Sequence, residues 1–165
     1  TSYLHITHAF RIENSDTYDL CRHIKPLIKG REHMVFVTGD ASGKNRIAGA
    51  VGHINHYQII ASELGLKSDQ FRIPGANPLI TDSRVFMNSL VEKFPEFLID
   101  SSLEDLINDI MFTTVSINRK GEVEINKTGI NEYTGADNRT MGHQLDNVRY
   151  LAHQTLGQWL TIPKS

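Results

Sequence analysis

With a single cysteine, Cys21, the chain has no intramolecular disulfide to staple its fold, and no group of Cys and His has zinc-finger spacing. A reducing setting is the default for such usage. No apolar run is long enough to cross a membrane and no basic leader precedes an apolar core, so no membrane partner is expected and secretion is not indicated. The formal net charge of −2 supplies no global basic field; any contact with nucleic acid has to come from a local patch. Aromatic content is 8 % and no basic residues interleave with Trp159, which argues against a stacking face for single strands and makes Trp159 a packing residue or a contact to other protein. A working phosphate-binding loop is missing as well. Gly39 and Gly43 stand one residue too close, and Lys44 is followed by Asn45 where the motif needs a hydroxyl to hold Mg²⁺.

What is present is ordinary for a globular domain: 165 residues, 39 % hydrophobic and 22 % charged, enough to bury a core and read here as one domain over 1–165. The chain begins at Thr1 rather than Met, so a fragment of a longer polypeptide is expected. Strand and helix signals alternate along it. A β-rich opening over 3–12 precedes a helix capped by Ser15 or Asp16, carrying Leu20, Ile24, Leu27 and Ile28, and ended by Gly30. Strands are expected at 34–37, 70–73 and 97–100. Further helices are expected at 56–64, from Asp82 to Pro95 with Val85, Phe86, Leu90, Val91 and Phe94 inward, and over 103–111. A hairpin turns at Gly121 between 113–117 and 122–125, and after a polar loop over 128–142 the last helix carries Leu145, Val148, Leu151 and Ala152 inward.

Two stretches carry chemistry. The apolar run at 34–37 stops at Asp40, among Gly39, Ala41, Ser42 and Gly43. Such an aspartate either caps a turn or presents a carboxylate at a strand end, where it must be solvated, paired or bound to metal. At the start of the last helix, His143 and Asp146 lie three apart, a spacing that serves metal orientation or proton transfer as well as a solvated surface pair. With Asp82, which could equally cap its helix, these make three carboxylates beside apolar elements. Gathered carboxylates repel unless cations neutralise them, and an all-oxygen set suits Mg²⁺ or Mn²⁺. Two such ions would support phosphodiester hydrolysis. His5, His8, His53 and His56 match no ligand spacing.

Three blocks together resemble a known family. They are residues 37–46 around Asp40, residues 73–78 (Ile73, Pro74, Gly75, Ala76, Asn77, Pro78) running into Asp82, Ser83, Arg84 and Val85, and the ending at 143–150 with its His143 and Asp146. Their order resembles the C-terminal nuclease domain of tailed-phage or prophage terminase large subunits over roughly two-thirds of the chain. The resemblance implies an α/β, RNase H-like fold, a mixed sheet flanked by helices with a β-hairpin before the last helix. It implies a two-metal endonuclease that cuts double-stranded phage DNA during genome packaging. Asp40 and Asp146 then match metal ligands, His143 matches the histidine of the ending, and Asp82 is the nearest carboxylate to the second acidic position, with Asp100 in reserve and Asn77 near the point where relatives carry an acid. The implied cofactor is a pair of Mg²⁺ or Mn²⁺ ions. DNA backbone contacts are expected from Lys44, Arg46, Lys120, Lys127 and Arg139. The implied partners are an N-terminal ATPase domain of the same chain, the portal and the small terminase subunit, in the host cytoplasm. Another RNase H-like nuclease of resolvase or transposase type, and a non-catalytic DNA-binding or motor-docking domain, are the alternatives.

Overall fold

The first helix starts where the sequence supplies a cap: Asp16 accepts from the Asp19 amide (2.9 Å) and its own amide donates to the Asp19 carboxylate (3.1 Å). The computed structural model describes residues 4–48, 52, 54–93 and 96–157. His53, Phe94, Pro95 and Trp159, and with them the expected end of the helix after Asp82, lie outside the described residues. The chain divides into two units, Phe10–Asn77 and a second that joins Thr1–Ala9 to Pro78–Ser165. It is mixed α/β, with five helices and two small sheets among the described residues.

In the unit Phe10–Asn77, helix α1 (Thr17–Ile28) packs on α2 (His56–Leu64). Cys21, Leu64 and Leu66 form the buried centre, lined by Ile24, Ile28, Val35, Val37, Ile60 and Phe71. Asn55 and Gln58 cap the start of α2 reciprocally, and Gly65 ends it in the left-handed region (φ 68°). The strands expected at 34–37 and 70–73 shrink to one parallel bridge between Val37 and Phe71. Glu32–Met34 is a 3₁₀ turn instead. The cause is Gln70, whose buried side-chain amide donates to the carbonyls of Glu32 and Val35 (2.7 Å each), taking acceptors that a strand ladder would use.

The glycines of the 39–43 loop serve a different need from phosphate binding. A Cβ on Gly43 would sit 2.7 Å from the Tyr57 ring, and one on Gly39 would sit 2.8 Å from its hydroxyl. Tyr57 lies over this loop and donates to the Asp40 carbonyl (2.6 Å). Gly43→Ala is therefore expected to lower stability by about 1–3 kcal/mol through overpacking, measured by urea denaturation. Gly39→Ala, which meets only the ring's polar tip, is expected to cost less.

In the second unit, β1 (Leu4–Ile6) pairs in parallel with β2 (Phe97–Ile99), far shorter than the expected strand over 3–12. Against this pair lie α3 (Ile80–Lys93), α4 (Glu104–Phe112) and α5 (His143–Leu156) around Phe86, Met87, Leu90, Leu106, Val148 and Ala152. The buried stripe of α3 is Ser83, Phe86, Met87 and Leu90, at the i, i+3, i+4, i+7 spacing of one helix face. Val85 and Val91, expected inward, are 52 % and 58 % exposed. Position on the helical wheel overrides side-chain polarity here, since Ser83 is enclosed by donating its hydroxyl to the Leu79 carbonyl (2.7 Å). The hairpin forms as expected from β3 (Val115–Ile117) and β4 (Val123–Ile125), with Gly121 at φ 80° and the Asn118 carbonyl oxygen of the side chain accepting from the Lys120 and Glu122 amides.

The polar loop before α5 is organised by two buried asparagines. Asn131 donates to the Phe112 carbonyl (2.8 Å) and accepts from the Tyr133 and Thr134 amides, while Asn138 donates to the Thr128 carbonyl (2.7 Å). The residue before α5 is Gly142, which has no side chain with which to cap. Asp109 of α4, buried, reaches across to accept from the Gln144 amide (2.9 Å) and supplies the missing cap.

Candidate functional site

Asp40 sits where the parallel-bridged segment through Val37 ends, at the start of the 3₁₀ turn Ala41–Lys44. It caps the turn, its Oδ1 accepting from the Ser42 amide (2.6 Å), and its carboxylate is half-buried. Asn77, at the end of the neighbouring segment, donates from Nδ2 to the same Oδ1 (2.9 Å) and accepts from the Ala41 amide (2.8 Å). Lys44 folds back, its Nζ donating to the carbonyls of Ile73 (3.2 Å) and Pro74 (3.1 Å). The loop is thus tied at three points to residues more than a dozen positions away, through Tyr57, Asn77 and the 73–74 carbonyls.

In the second unit the residues of the last helix part company. His143 sits exposed at the first turn with Nε2 at 3.1 Å from the Arg139 carbonyl oxygen. Asp146 instead faces Arg149, one turn on, at 2.9 Å. The Arg149 side chain is only 9 % exposed and that of Asp146 28 %. The guanidinium also donates to Ser83 Oγ (3.2 Å) and lies 5.0 Å from the Tyr150 ring centroid. Asp146 and Arg149 line a cleft of about 230 Å³ together with Ser83, Arg84, Asn88 and Thr113. Asp82 is exposed on the first turn of α3. Its charge is felt at His153, where burial, then Arg149, hold the imidazole below its ordinary range against the opposing pull of Asp82. Asp100 follows β2, and hydrogen bonds from the Ser102 hydroxyl (2.7 Å) and amide (2.9 Å) hold its carboxyl below the usual range. Among the described residues of either unit, no three His, Cys, Asp or Glu side chains converge as a ligand group.

The five expected DNA contacts divide by their environment. Lys44 is engaged as above, Lys127 donates to the Met141 carbonyl, and Arg139 forks onto Asp137 from Nε (2.9 Å) and Nη2 (2.5 Å). Arg46 and Lys120 are exposed, the latter at the hairpin turn. The Arg139 side chain lowers the Asp137 carboxyl to about 2. Because that carboxyl is lower in the folded chain than in the unfolded one, the pair supports the fold above the ordinary carboxyl range and loses this effect as pH falls through about 2. A carboxyl-carbon NMR titration is expected to place Asp137 near 2 and to return it towards ~3.9 in Arg139→Gln.

Sequence reasoning left Arg149, Tyr57 and Asp109 without roles. Arg149 stands three residues after Asp146, an ion-pair spacing on a helix, and that signal was readable. Tyr57 and Asp109 act across the fold and leave no local trace. At Cys21, burial, then Glu63 and Asp16, push the thiol up, which disfavours the reactive thiolate. Comparison with protein-family models, with curated proteins and with solved structures finds no match.

Proposed function

We propose that this chain is the nuclease domain of a phage or prophage DNA-packaging enzyme, RNase H-like in fold, which cuts double-stranded DNA with the help of Mg²⁺ or Mn²⁺. The observation that carries the reading is Asp40: a carboxylate at the end of a parallel-bridged segment, on a loop braced by Tyr57, Asn77 and Lys44. The blocks around Asp40, Asn77 and Asp82, and the ending with His143 and Asp146, support it by their resemblance to terminase nucleases. The donor chemistry fits hard cations, since Asp40, Asp82 and Asp146 offer carboxylate oxygens. When bound, such ions supply Lewis-acid activation of water and stabilise the oxygen that leaves phosphorus.

The chain's own residues do the rest. Asp40 is the proposed cation-holding carboxylate, and the resemblance implies Asp82 and Asp146 as the further acidic positions. His143, exposed at the head of α5, is the proposed proton-handling residue. Arg46 and Lys120 reach the DNA backbone, with Lys127 and Arg139 contributing where their present partners release them. The ATPase half of the same polypeptide, the portal and the small terminase subunit are the proposed partners, in the host cytoplasm. One observation favours a second reading, a non-catalytic docking domain: Asp146 is already paired with a buried arginine.

Incubation of supercoiled plasmid with the 165-residue chain separates the two. Nicked and linear products with Mn²⁺ and none with EDTA are expected. Unchanged plasmid at high protein concentration supports the docking domain, and preferential cutting of four-way junctions supports a resolvase-type enzyme.

A further inference from the structure

Asn77 meets the Asp40 loop through both ends of its amide. Its Oδ1 accepts from the Ala41 amide at 2.8 Å, and its Nδ2 donates to Asp40 Oδ1 at 2.9 Å. The first contact fixes the orientation of the second. A backbone N–H can only donate, so oxygen must face Ala41, which leaves nitrogen facing the carboxylate. Ser42 approaches the same Oδ1 from within the turn, at 2.6 Å. One carboxylate oxygen is therefore held both from its own turn and from a residue 37 positions away in sequence.

We propose that Asn77 is a positioning residue for Asp40, its amide fixing both the carboxylate's rotamer and the conformation of the loop that carries it. The inference rests on the reading of Asp40 as a residue that holds a divalent cation. A purely structural role would need only the bond to Ala41. The bond to Asp40 adds a charge-assisted contact to the carboxylate itself. Aspartate at position 77 tells these apart, because it keeps an oxygen for Ala41 and puts a second carboxylate oxygen where Nδ2 now lies, 2.9 Å from Asp40 Oδ1. Two carboxylates so close repel until a cation neutralises them.

The test follows thermal midpoints of the full 165-residue chain in EDTA and across a Mn²⁺ titration, beside plasmid cleavage at the same Mn²⁺ concentrations. Asn77→Asp is expected to melt about 3 °C or more below the unsubstituted chain in EDTA, and to gain about twice as much from saturating Mn²⁺. Adding Asp40→Asn to it is expected to abolish the extra gain. Asn77→Ala is expected to raise the Mn²⁺ concentration for half-maximal cleavage by about tenfold, the effect of losing an outer-sphere partner. An Asn77→Asp chain that melts like the unsubstituted one in EDTA and responds equally to Mn²⁺ overturns the proposal, even where Asn77→Ala fails to fold. The nuclease reading fails separately. Cleavage that survives Asp40→Asn counts against that reading, whereas the Asn77→Asp melting data decide the Asn77 contact in either case.

Discussion

Asparagine in place of Asp40 is expected to lower Mn²⁺-dependent plasmid cleavage by about 10³-fold, because losing a cation-holding carboxylate removes several kcal/mol of Lewis-acid stabilisation at about tenfold per 1.4 kcal/mol. The substitution is mild for the fold. Ser42 and Asn77 both donate to Asp40 Oδ1, and an asparagine carbonyl oxygen can accept both. Asparagine also caps a turn about as well as aspartate. The thermal midpoint is therefore expected to move by no more than about 2 °C. Gel quantitation of nicked plasmid, with calorimetry on the same sample, checks both halves. Full activity in the variant would sink the assignment of Asp40, and a large fall in stability would show that its role is to hold the loop.

Arg149→Ala is expected to cost about 3 kcal/mol or more, the range for breaking a largely buried ion pair by removing one partner, and to lower the midpoint by roughly 10 °C. The guanidinium leaves Asp146 without its counter-charge, takes a donor away from the fully enclosed Ser83, and opens space beside an existing cleft of about 230 Å³. Arg149→Met, which keeps much of the volume without the charge, is expected to recover part of the loss. Guanidinium denaturation reads the difference. A stability unchanged in Arg149→Ala would mean that water already satisfies Asp146. The same pair predicts that Asp146→Asn, unlike Asp40→Asn, weakens the fold together with cleavage, since it leaves a buried guanidinium uncompensated.

The elements most readable in the sequence were those with local chemistry. Asp16 marks the start of α1, Gly65 the end of α2, and Gly121 the turn of the hairpin. What escaped was decided by distant residues. Val35 and Phe36 have strand character, yet a glutamine side chain from position 70 takes the carbonyls around them. Val85 and Val91 are apolar and exposed, because a helix face is set by its neighbours and Ser83 could satisfy its hydroxyl internally. At the site, Asp40 was legible from its place after an apolar run. Its tie to Asn77 was not, since nothing in a linear chain relates residues 37 positions apart. The His143 and Asp146 spacing was legible too, but the competing Arg149 on the same helix drew the aspartate the other way.

The borrowed cap at the head of α5 has a bearing on motion. Because the Gln144 amide is held by Asp109 from within α4, the first turn of α5 is shielded from the fraying usual at a helix end. That amide is expected to exchange its proton with solvent only when its bond to Asp109 opens. The turn that carries His143 and Asp146 is thus fastened to α4 by this bond as well as to its own helix.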